Sequence, residues 1–163
     1  MYLVAQFGAT GLFFVWLYRR EPERYPRFRN AFLVATALAL AVQWRYPVAP
    51  PRLVGLHDTV RGLVGVHVGR VTDPLAAMPS LHAGWAAGVG AGLWSRSRAL
   101  AVAYPALVML ATLVTGNHFV LDAIAGIALI CAGFWLSAGL SLVPGATLAL
   151  RRGVEQSGSS PGS

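Results

Sequence analysis

Long apolar runs, separated by short polar breaks, dominate this chain. Five runs approach or reach the roughly 17–25 residues that a membrane-spanning helix needs. They are Tyr2–Tyr18, Ala31–Trp44, Pro79–Trp94, Ala99–Thr115 and Phe119–Val143. The pattern predicts an all-α fold, a polytopic membrane bundle of five transmembrane helices.

Composition agrees with this interpretation. Of the 163 residues, 56% are hydrophobic and 12% are charged, whereas a soluble domain is usually about a quarter charged. The length suits one domain, which we place at residues 1–150. Residues 151–163 are rich in glycine and serine and have no apolar face, so we expect a disordered polar tail.

The net charge of +7 comes from 13 arginines, since the chain has no lysine. These arginines punctuate apolar runs instead of covering one solvated face, which argues against nucleic-acid binding and favours a membrane protein. The single cysteine, Cys131, allows no disulfide within the chain.

The arginines also predict the orientation in the membrane. They gather in the first connection, between the third and fourth runs, and at Arg151 and Arg152 after the last run. Alternating spans place all three groups on one side, which the positive-inside rule makes cytoplasmic. Residues 45–78 then face the extracytoplasmic side of the cell membrane. Met1 falls there too, so either the N-terminus is translocated or one more helix precedes it.

The outer segment contains an amphipathic stretch at residues 53–67, interrupted by three glycines. Two alternatives stay open, an interfacial helix lying on the membrane and an irregular loop. His57 and His67 lie in this stretch, but their spacing does not match that of metal ligands. We interpret them as surface histidines and predict no metal site and no cofactor.

Two arginines begin the polar clusters on the outer side. Arg45 and Arg52 flank a proline-rich stretch. A guanidinium pair held this way suits phosphate oxygens. The alternative is that both side chains extend to the lipid headgroups at a helix end.

The second cluster is Met78-Pro-Ser-Leu-His82, immediately before an apolar run. Pro79 and Ser80 are typical helix-start residues, and the serine oxygen can cap a backbone N–H. A helix N-terminus favours an anionic ligand. His82, in the first turn, is then either a catalytic group or a structural histidine.

The third cluster joins His118 and Asp122 at the start of the last run. Residues four apart share a helix face, so we expect the carboxylate to accept the imidazole N–H. That contact would leave the other ring nitrogen outward as a base or nucleophile. The alternative is a buried ion pair that only holds helices together.

Gly84, Gly88 and Gly92 form two overlapping G-x-x-x-G steps on the third run. Small residues at this spacing allow membrane helices to approach closely. We therefore expect His82 to lie near His118.

In this order, the clusters resemble the motifs of the type 2 phosphatidic acid phosphatase superfamily, which includes lipid phosphate phosphatases and vanadium haloperoxidases. Its motifs read K-x6-R-P, P-S-G-H and S-R-x5-H-x3-D. The corresponding stretches here are Arg45-x6-Arg52-Leu53, Pro79-Ser80-Leu81-His82 and His118-x3-Asp122. The resemblance covers residues 30–143, and two predicted spans separate the second and third motifs, as in the family.

Several positions depart from those motifs. Arg45 replaces lysine, Leu53 replaces proline and Leu81 replaces glycine. The Ser-Arg pair of the third motif falls on Ala111 and Thr112, so one phosphate-binding arginine is missing. These variants look more like the inositol phosphorylceramide synthase branch, which transfers a headgroup between lipids. The family core also has six helices, one more than predicted here.

The resemblance implies a membrane phosphatase or phosphotransferase whose partner is a lipid phosphate, of phospholipid, polyprenyl or sphingolipid type. It implies a phosphohistidine on His118, oriented by Asp122, and a proton donated to the leaving alkoxide by His82. No metal takes part. The residues that would hold the phosphoryl oxygens are Arg45, Arg52 and Ser80.

Two other functions stay open. One is a catalytically weak or inactive family member that binds lipid. The other is a proton-coupled transporter with Asp122 and His118 as a relay, but polar residues deep in the other runs are scarce. The acceptor, water or a polyol, and self-association into a homo-oligomer also stay open.

Overall fold

The computed structural model describes residues 2–51 and 77–140, and the structural statements below concern these two ranges. They contain five helices and no β-strand, which confirms the all-α prediction. The helices are α1 Tyr2–Arg20, α2 Tyr25–Arg45, α3 Leu81–Leu93, α4 Arg98–Val114 and α5 Val120–Leu140. The amphipathic stretch 53–67, with His57 and His67, and the tail 151–163 lie outside the described residues.

Four of the five helices lie within a few residues of their predicted bounds, but α2 begins six residues early. Pro26 stands in its first turn, where the missing N–H costs nothing. Arg27 and Arg29 follow and stay exposed. Apolar patterning misses such a polar first turn, because it reports only the part of a helix that faces core or lipid.

The starts of α3 and α4 are set by serine caps. Ser80 Oγ accepts a hydrogen bond from the backbone N–H of Ala83 at 3.3 Å. Ser97 Oγ accepts one from Leu100 at the same distance. Both caps satisfy a helix N–H that has no partner within the helix.

The α3 helix lies at the centre, packed against α4 and α5, while α2 packs along α5 and α1 joins from the side. Aromatic rings fill the space among the helices, with Phe28 and Phe134 at 4.9 Å between ring centroids. The core cluster consists of Phe13, Leu17, Phe28, Phe32, Ala35, Val89 and Ile130.

Gly84, Gly88 and Gly92, about one turn apart on α3, each lie against a different neighbour. A Cβ at Gly84 would lie 2.6 Å from the carbonyl oxygen of Gly126 on α5. A Cβ at Gly88 would meet the ring of Phe32. A Cβ at Gly92 would meet the ring of Phe13. The glycine spacing therefore allows a backbone crossing near the N-terminal end of α3 and aromatic packing further along the helix.

Within the described ranges, one helix clearly qualifies as a membrane span by length and apolarity, at Val120–Ala138. Only 33% of its apolar window is buried inside the protein, so most of that surface faces outward, as expected next to lipid. Helix α4, at 17 residues, is apolar but shorter.

Arginines and an acid bind the ends of three helices together opposite the histidines. Arg96, after α3, donates to Glu21, after α1, at 2.9 Å. Arg24 also pairs with Glu21, and it donates to Ser95 at 3.3 Å. The hydrogen bond from Arg96, and then that from Arg24, lowers the pKa of Glu21. Two of the three arginine groups therefore lie at one end, while Arg151 and Arg152 lie outside the described residues.

Candidate active site

Two histidines from separate motifs meet at the other end of the bundle. His82, in the first turn of α3, places Nδ1 3.3 Å from Nε2 of His118, which precedes α5. The ring planes are tilted by 54°. His118 is 7% exposed. The structure thus brings together the two histidines that were selected from sequence.

A backbone carbonyl determines which nitrogen of His118 carries the proton. Nδ1 lies 2.8 Å from the carbonyl oxygen of Ala77. Because a carbonyl only accepts, Nδ1 must donate, and the neutral ring then keeps its lone pair on Nε2. The lone pair faces His82. Ala77 is itself held by its N–H, which donates to the carbonyl of Val48 at 3.1 Å.

Asp122 differs from its expected role. Its Oδ2 lies 3.6 Å from Nδ1 of His118, as an ion-pair contact beyond hydrogen-bonding distance. The same oxygen accepts the backbone N–H of Phe119 at 2.7 Å. The expectation that Asp122 accepts the imidazole N–H was wrong, because His118 precedes the helix and the shared-face argument requires both residues within it. Asp122, 2% exposed, caps α5 and places negative charge beside the ring.

Ser80 and Gly126 hold the two halves of the site together. Ser80 is fully buried, and its N–H donates to the carbonyl of Asp122 at 2.9 Å. A Cβ on Gly126 would collide with the Ser80 carbonyl. The start of α3 therefore crosses α5 backbone to backbone, one turn inside the site.

Two glutamines that the sequence analysis missed support this crossing. Gln6 on α1 donates through Nε2 to the carbonyl of His82 at 2.9 Å. Gln43 on α2 donates to the carbonyl of Pro79 at 3.0 Å. Each is the one carboxamide side chain in its predicted apolar run, and that rarity was the available signal.

The arginine pair is only half described. Arg45 ends α2 and is exposed, with its guanidinium carbon 5.1 Å from the ring centroid of Tyr46. Arg52 lies outside the described residues, so the structure does not test a phosphate fork. Thr112, where the motif has arginine, is buried, and its carbonyl accepts the N–H groups of Asn117 at 3.0 Å and His118 at 3.4 Å.

A family model matches the part of the chain that contains all three motifs. The model of the PAP2 superfamily matches residues 1–136. The chain belongs to the PAP2 superfamily. Neither a comparison with curated proteins nor one with solved structures gave a match. Membership supports a phosphatase-type function on lipid phosphates and agrees with a membrane location.

Proposed function

We propose that this PAP2 protein is a membrane-embedded, metal-independent phosphatase or phosphotransferase that acts on a lipid phosphate ester through a phosphohistidine. The observation that carries the proposal is the meeting of His118 Nε2 and His82 Nδ1 at 3.3 Å. An oriented lone pair beside a second imidazole is what nucleophilic catalysis with a general acid requires.

In the first step, the lone pair of His118 Nε2 forms a bond to phosphorus and the ester P–O bond breaks. The leaving alkoxide takes a proton from His82, which enters this step as the imidazolium and leaves it as the neutral ring. The Ala77 carbonyl and the Asp122 carboxylate stabilise the positive charge that develops on the His118 ring.

In the second step, water or an alcohol attacks phosphorus and the N–P bond breaks. His82 takes the proton of the attacking hydroxyl group, which returns both histidines to their starting states. Water as acceptor yields inorganic phosphate, and a polyol yields a transferred headgroup. The likeness to the inositolphosphotransferase branch favours an alcohol, and the release assay below distinguishes the two.

The substrate must enter between the histidines. The P–O bond that breaks has to lie between Nε2 of His118 and the acid on His82, and 3.3 Å leaves no room for it. Substrate binding therefore replaces the contact between the two histidines by two new contacts. His118 Nε2 then faces phosphorus, and His82 faces the leaving oxygen. In this proposal Arg45, Arg52 and the helix start at Ser80 bind the remaining phosphoryl oxygens.

The site faces the extracytoplasmic side in this proposal, because it lies at the end of the bundle opposite Glu21, Arg24 and Arg96. Single cysteines in a Cys131→Ala background test the orientation. A membrane-impermeant maleimide added outside should label Thr59→Cys and leave Ser97→Cys unlabelled. Labelling of Ser97→Cys from outside would show that the protein has the opposite orientation in the membrane.

A release assay tests the function itself. Purified protein in detergent is offered a panel of lipid phosphate monoesters and diesters, with and without inositol or another polyol. We expect phosphate release without the polyol for a phosphatase, or a polyol-dependent phosphorylated product for a transferase. Bound lipid without either product would support the alternative of an inactive, lipid-binding family member.

The same assay tests the arginines. Arg52→Lys keeps the charge but loses the planar fork, so activity should fall at least about tenfold, which corresponds to ~1.4 kcal/mol. Arg45→Lys is the matched control and should be milder, since lysine occupies that position in the family motif. Equal tolerance at both positions would assign the arginines to lipid headgroups instead.

A further inference from the structure

An open groove lies between α1 and α4, with a volume of about 290 Å³. Its walls are almost entirely apolar, and small side chains make it wide. The lining includes Ala5, Gln6 and Ala9 on α1 and Leu107, Val108 and Ala111 on α4.

In the orientation proposed above, the groove runs along α4 from the level of the histidines toward the opposite end of the bundle. On α4 its lining extends from Ala111 back to Tyr104, and seven residues of helix rise by roughly 10 Å. Half of a bilayer's hydrocarbon core is about 15 Å thick. The groove therefore follows most of one leaflet, and Leu107, 65% exposed, lies at its open side.

Two polar side chains, Gln6 and Tyr104, interrupt these walls. Gln6 is 5% exposed, and its Nε2 donates to the His82 carbonyl. Its Oε1 is buried and accepts no hydrogen bond from any residue in the ranges 2–51 and 77–140. A buried amide oxygen without a donor is unfavourable, and Gln6, which carries it, both lines the groove and contacts His82, the residue assigned as general acid.

We propose that the groove binds one hydrocarbon chain of the substrate lipid, and that Gln6 Oε1 accepts a hydrogen bond from a hydroxyl or amide N–H between that chain and the phosphate. This proposal rests on the function proposed above. It makes amphiphiles with a donor near the phosphate the preferred substrates, since a plain alkyl phosphate leaves Gln6 Oε1 without a partner.

Binding can be measured without turnover, using a phosphonate whose C–P bond cannot break. The probe is a long-chain 2-hydroxyalkyl phosphonate with a photoreactive diazirine at mid-chain, added to the full chain in phosphatidylcholine vesicles. We expect labelling of Leu107 and Val108, displaced by unlabelled hydroxyalkyl phosphonate but not by extra phosphatidylcholine. Because no chemistry occurs, a failure of catalysis and a failure of this groove are distinguishable.

Two leucine variants match each other in size and separate the groove from the general lipid surface. Ala9→Leu fills the groove and should reduce specific labelling about tenfold. Ala106→Leu adds the same side chain to an exposed position of α4 outside the groove and should leave labelling unchanged. Labelling that is not displaced, or that is equal in both variants, would mean that the probe reaches these residues only from the bulk lipid. Either result would overturn the proposal.

The hydrogen bond is tested by deleting the hydroxyl from the probe. The wild-type protein should bind the hydroxyl-bearing phosphonate roughly fivefold more tightly than the matched deoxy compound, a ratio typical of one hydrogen bond. Gln6→Met should remove this preference while both compounds still bind, which a merely structural loss would not do. Equal affinities in the wild type would overturn the role of Gln6 without needing any variant.

Discussion

Replacing His118 with alanine should abolish turnover and leave no phosphate on the protein. The lone pair on Nε2 of His118 is oriented by a carbonyl 2.8 Å from Nδ1, and a carboxylate lies 3.6 Å from the same Nδ1. Loss of a nucleophile typically costs at least about 10⁴-fold in rate. The measurement is trapping of radiolabelled phosphate under neutral or alkaline denaturing conditions, because phosphohistidine is labile in acid.

The chain supplies matched controls for this experiment. It has four histidines, and His57→Ala and His67→Ala should retain both turnover and label. The turnover of Asp122→Asn should lie between that of the wild type and that of His118→Ala. An amide oxygen still accepts the Phe119 N–H, but the negative charge beside the His118 ring is gone. Label retained on His118→Ala would defeat the assigned nucleophile, and unchanged turnover in a folded protein would defeat the enzyme hypothesis.

Replacing His82 with alanine should produce a loss that depends on the leaving group. A general acid typically contributes about 10²–10⁴-fold, and an alkoxide leaving group needs all of it. A nitrophenyl phosphate departs with little protonation, so its turnover should fall by less than about tenfold. The ratio of the two rates, compared between wild type and variant, separates loss of the acid from a general disturbance of the site.

The position of His82 makes this ratio informative. Its backbone carbonyl is held by Gln6 and its neighbour Pro79 by Gln43, so removing the ring should leave the start of α3 in place. Equal losses for both substrates would show that His82 supports the site and does not donate the proton. The phosphohistidine trap with nitrophenyl phosphate should still succeed in this variant.

Much of the fold was predictable because the bilayer leaves little choice. A chain in lipid must satisfy its backbone hydrogen bonds within helices, so runs of apolar residues determine where most helices lie. Ser80 and Ser97 mark helix starts through chemistry that is local to a few residues. The same locality explains why His82, His118 and Asp122 could be selected in advance.

The contacts within the site depend on residues far apart in the chain. The acceptor of the His118 N–H is the Ala77 carbonyl, and a carbonyl leaves no mark on side-chain patterns. Asp122 caps its own helix because α5 begins after His118, at Val120, one residue after the predicted start. Neither contact can be derived from spacing alone.

The sequence by itself determined the helices, the ordered motifs and the pair of histidines, since each depends on local residue chemistry. Only the tertiary structure decided which nitrogen of His118 faces His82, how closely α3 crosses α5 at Gly126, and that Gln6 connects His82 to an open groove between α1 and α4. The physical reason is that these features arise from backbone atoms and from the space between helices. Periodicity records which face of a helix is apolar, but not which neighbour it meets or how near.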